Sequence, residues 1–123
     1  MRSYRLTSLS QADALVYAGT EGFDPPMRKA FTTLAALKNE IARRETSLRK
    51  LESERKRWSD DQARLRANLS KVPRNSDIHR RYLARLSSHE KKIESVMGKI
   101  DSAQTDLDKA KTALSSFVQN LVL

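Results

Sequence analysis

The chain has 123 residues and carries 24 Lys and Arg against 15 Asp and Glu, a formal net charge of +9. With 32% charged, 38% hydrophobic and 6% aromatic residues and only three Gly and three Pro, it has the balance of exposed helical surface; its length allows one domain or one long hairpin, not a catalytic barrel or a doubly wound sheet. The absence of Cys excludes disulfides, thiolate zinc sites, iron–sulfur clusters and a thiol nucleophile.

Residues 1–24 form a distinct apolar segment or linker. Tyr4, Leu6, Leu9, Leu15, Val16, Tyr17 and Phe23 are too many apolar groups for a solvated tail. YRL and ALVYA read as short extended stretches, with a helical turn over Ala12 to Tyr17 as the alternative. No continuous apolar run precedes a small-residue cleavage site, so no secretory signal is expected. No stretch approaches the roughly 20 apolar residues of a membrane-spanning helix, and a soluble chain is expected.

From residue 25 the apolar residues follow a seven-residue repeat. Stepping alternately by four and three, the register reads Ala30, Leu34, Leu37, Ile41, Arg44, Leu48, Leu51, Arg55, Trp58, Gln62, Leu65, Leu69 and Val72, apolar at ten of thirteen positions. Asp24 supplies an N-cap acceptor and Pro25 a φ already helical, so this helix starts at 25. Pro73 disfavours the helical conformation of Val72, which predicts a helix over 25–72. A second register runs His79, Tyr82, Leu86, His89, Ile93, Val96, Ile100, Ala103, Leu107, Ala110, Leu114, Phe117 and Leu121, apolar at eleven of thirteen. Ser76 or Asp77 caps this second helix, over 77–121. The link from Pro73 to Ser76 makes the two helices antiparallel neighbours, and the fold class is all-α, a two-helix coiled-coil hairpin over 25–123.

Facing residues in such a pair have position numbers with a constant sum. Val72 with His79, Leu65 with Leu86, Gln62 with His89, Leu51 with Ile100 and Leu34 with Phe117 all give 151. This places Gln62 beside His89 as a hydrogen-bonded register pair, and Leu51 and Ile100 as buried seam residues. Asp61 would lie beside Lys92 and Glu54 beside Lys99. Arg44 and Arg55 would reach the edge of the seam, or meet carboxylates on another chain. Gly98 falls on the outward face. Phe31, Val118, Leu83 and Met97 flank the seam, so either the N-terminal segment or a second hairpin must cover them, and a homodimer is the expected solution.

The positive charge is concentrated. From Arg43 to Lys99 there are 17 basic and 8 acidic residues, and seven of each outside that span. Arg49, Lys50, Lys56, Arg57, Arg64, Lys71, Arg74, Arg80, Arg81, Lys91 and Lys92 would make an elongated positive surface for phosphate backbones, anionic lipid or acidic protein, or simply a solvated face. Trp58 and Tyr82 sit on the seam, which leaves no stacking platform for single-stranded bases. The only histidines are His79 and His89; no catalytic or cofactor-binding constellation is legible, and Asp77 with His79 lacks a third metal ligand.

The run FDPPMRKAF, then DDQARLRANLSKV and SDIHRRYLARLSSHEKKIE, resembles the C-terminal helical hairpin of bacterial mucoidy-inhibitor-like proteins of unknown function, from about residue 12 to the end. The particular elements are the arginine-rich approach Arg64 to Leu69 and the Tyr82, Leu83, Leu86, Glu90 pattern after the turn. The resemblance implies a terminal part of a larger, envelope-associated protein whose preceding domain is mainly β. It supplies no catalytic residues. The expectation is therefore a non-catalytic interaction or spacer module without cofactor, basic toward the hairpin turn, with non-specific phosphate-backbone binding as the alternative.

Overall fold

The computed structural model describes residues 10–19 and 24–121. Three helices follow in order: α1 over Gln11–Gly19, α2 over Pro25–Leu69 and α3 over Asp77–Gln119, with no strand among the described residues. The two long helices pack against each other as an all-α helical hairpin. The YRL stretch lies outside the described residues. ALVYA is helical, the other of the two readings, for local reasons: the Ser10 hydroxyl accepts from the Asp13 amide at 3.1 Å and the Ser10 carbonyl from Ala14 at 3.0 Å, which caps an alanine-rich segment of high helix propensity.

Asp24 caps α2 as its chemistry predicts, Oδ1 accepting from the Met27 amide at 3.0 Å. At the other end α2 stops at Leu69, three residues before the expected Val72. The residue before a proline avoids the helical region, and the chain unwinds ahead of it through tighter bonds from the Lys71 amide to Asn68 and from the Val72 amide to Leu69. The reversal closes with Ser76 N–H donating to the Pro73 carbonyl at 3.3 Å. Asn75 takes φ 65, a left-handed conformation that Asn tolerates better than most side chains. Of the two cap candidates Ser76 acts: its hydroxyl accepts from the His79 amide at 3.2 Å, while Asp77 pairs with Arg80 at 2.6 Å. α3 ends at Gln119, two residues short of the expected boundary.

Burial follows the predicted seams closely. All thirteen positions from His79 to Leu121 are buried or half-buried, as are twelve of the thirteen from Ala30 to Val72; Arg55 is the exception and is exposed. Gly98 is exposed with open space where a side chain would start.

The chain divides into two compact units, Met1–Thr46 with Gln104–Leu123, and Ser47–Ala103. In the first, Ala14 of α1 is fully buried against Phe31, Leu34, Ala35, Leu114 and Val118. The N-terminal segment thus covers Phe31 and Val118, while Leu83 and Met97, the other two flanking residues, stay exposed. Beside this core Lys38 has its ammonium pushed below the usual lysine value by burial. In the second unit Gln62, Leu65 and Val96 are the buried residues, and Leu51 and Ile100, expected to be buried, are half-exposed.

Candidate functional site

Every one of the eleven cations singled out by charge pattern lies in Ser47–Ala103 and is exposed. This unit holds 15 basic and 8 acidic residues, a net +7. Several cations have partners on their own helix: Lys56 with Asp60 at 3.0 Å, Arg64 with Asp61 at 2.8 Å and Arg80 with Asp77. Exposed pairs at this spacing are worth only about 0.3–0.5 kcal/mol, so they hold the side chains loosely. Lys50, Lys71, Arg74, Arg81 and Lys91 make no ion pair.

The cross-seam ion pairs do not form. Asp61 takes Arg64 instead, and Lys92 lies over the Trp58 ring with Nζ 4.2 Å from its centroid. The Arg57 guanidinium sits over the same ring at 5.0 Å, and the His89 ring is tilted against it with centroids 5.0 Å apart. An aromatic face offers a cation about 0.5–1 kcal/mol at an exposed site, comparable to a surface carboxylate. A seam tryptophan was therefore the competitor that the charge pattern alone did not weigh. These contacts also occupy Trp58.

The expected hydrogen bond between Gln62 and His89 is not made. Gln62 Nε2, His89 Nδ1 and Trp58 Nε1 are all buried without a partner. The imidazole packs on the indole rather than bonding to the amide, because the Trp58 ring is one turn from Gln62 and offers the larger surface. Seam arginines also diverge. Arg44 is half-buried and held by Glu40 Oε1 at 2.7 Å and Asp106 Oδ2 at 3.5 Å, so it finds its carboxylates within the chain. Arg55 leaves the seam and makes no ion pair or hydrogen bond.

Where Arg55 leaves, a groove of about 620 Å³ opens between α2 and α3. Arg49, Glu52, Ser53, Arg55, Lys56 and Ser59 form one side, and Ile93 and Met97 the other. Met97 is 49% exposed and Leu83 46%. The sequence does not reveal this mixed groove: Met97 falls at a flanking position and Arg55 on the seam, and nothing in either register joins them.

Among the described residues no group of three or more His, Asp or Glu could hold a metal ion, and Asp77 engages Arg80 rather than converging with His79. No helix among them is long and apolar enough to cross a membrane. Comparison with known proteins finds no matching family model, curated protein or solved structure.

Proposed function

We propose that the chain is a non-catalytic helical-hairpin interaction module, with spacer character, whose Ser47–Ala103 unit is the contact surface for an anionic partner. The observation that carries this reading is the charge asymmetry: a net +7 on one compact unit, with all eleven candidate cations exposed. Such a field raises the local concentration and association rate of an acidic partner. The resemblance to mucoidy-inhibitor-like hairpins belongs to the same proposal and adds envelope association. Homodimerisation, expected from the sequence, is a rival to this reading and would draw on the exposed Leu83 and Met97 rather than Phe31 and Val118.

Retention of polyglutamate on the immobilised protein, at low and high salt, tests the reading. The triple variant Lys50→Glu, Arg74→Glu, Arg81→Glu should lose retention while its circular dichroism stays helical. Failure to retain polyglutamate even at low salt overturns the proposal. The alternative, a phosphate-backbone binder, is supported by the same cations. It predicts a gel shift of mixed-sequence DNA and RNA whose affinity falls linearly with salt in log–log form; no shift at low salt eliminates it.

A further inference from the structure

The two arginines at seam positions meet opposite fates, and the difference points to a missing partner. Arg44 is satisfied by two carboxylates of its own chain, whereas Arg55 stands unpaired in the wall of the groove it opens. A guanidinium is a planar fork suited to a carboxylate. Opposite Arg55 the groove is apolar, with Ile93 half-buried and Met97 49% exposed. Cations on one wall facing an apolar one match the cross-section of a helix with a leucine-type stripe flanked by carboxylates.

Resting on the proposed function, we infer that this groove binds an acidic amphipathic helix of another protein, with apolar side chains on Met97 and Ile93 and carboxylates on Arg55 and Lys56. Lys56 is now paired with Asp60 through an exposed contact at i,i+4, which exchanges at little cost. Other occupants fit less well. A phosphate backbone would leave the apolar Met97 and Ile93 uncovered. A second copy aligning the same unit would bring together two bodies each of net +7. A small molecule would want an enclosing pocket, and this groove lies open to solvent.

The test uses a fluorescently labelled synthetic helix with leucine at i, i+3, i+4 and i+7 and glutamate elsewhere, followed by anisotropy. A control peptide carries serine for leucine. We expect the leucine peptide to bind, Arg55→Ser to weaken it about tenfold, the scale of one lost charge-assisted contact, and Met97→Ser to weaken it several-fold. The serine peptide should bind weakly and be indifferent to Met97→Ser. Circular dichroism checks that each variant stays folded. If the leucine peptide binds wild type but ignores both substitutions, while the triple variant at Lys50, Arg74 and Arg81 abolishes binding, the groove inference falls and the interaction reading stands. If no acidic peptide binds at low salt, both fall. Displacement of the leucine peptide by mixed-sequence DNA, or a dimer in light scattering that Met97→Ser dissolves, also overturns the acidic-helix assignment.

Discussion

The two compact units carry the same kind of seven-residue seam and bury it to different depths. Eight of the ten buried hydrophobic residues described fall in Met1–Thr46 with Gln104–Leu123, and only Leu65 and Val96 in Ser47–Ala103. The first unit has α1 laid on the pair, with Ala14 fully buried among Phe31, Leu34 and Val118. The second has two helices alone, and two helices cover only the stripe they share, so both flanks of the seam stay in water. Its Leu51, Trp58, Leu86, Ile93 and Ile100 are accordingly half-buried. Thin burial leaves its polar surface and its groove accessible, and this is the unit that carries the charge. One unit buries its seam deeply and the other leaves its flanks exposed.

The comparison can be broken most directly by truncating one leucine in each unit. Leu34, 1% exposed, should cost about 2–5 kcal/mol when changed to Ala. Leu51→Ala, at a half-buried position, should cost about 1–2 kcal/mol, because much of its surface is already wet. Chemical denaturation of the two variants measures both; equal losses would mean that α1 adds no depth to the core.

Gln62 sharpens the contrast from the other side. Its amide nitrogen is buried without a partner in the thinner unit, and an unsatisfied buried donor costs about 1–3 kcal/mol. Gln62→Leu should therefore raise the melting temperature, and a lower one would show that the amide stabilises the seam in another way. The caps should give the smallest effects. Asp24→Ala and Ser76→Ala each remove one side-chain acceptor from a helix start and should cost about 1 kcal/mol, read from the same denaturation curves.

Much of this is legible in the sequence. Period, caps and the proline placed both long helices and the turn, since each depends on residues within a few positions of one another. The candidate cations were legible as exposed because they fall off the seam. Partner choice among them was not. Lys92 chose the Trp58 ring over Asp61, and Asp61 chose Arg64, decisions between contacts of nearly equal energy that turn on side-chain geometry. α1 was ambiguous because a nine-residue segment carries too little periodicity to separate helix from strand.

The sequence by itself determined a helical hairpin, its seam and the location of its charge, because local backbone preferences and apolar spacing act along the chain. Only the tertiary structure decided that α1 closes the core over Phe31 and Val118, that Arg44 is paired and Arg55 is not, and that a groove opens beside Met97. Those outcomes depend on which surfaces arrive next to one another. Linear spacing specifies the face a residue occupies, whereas packing specifies what that face meets.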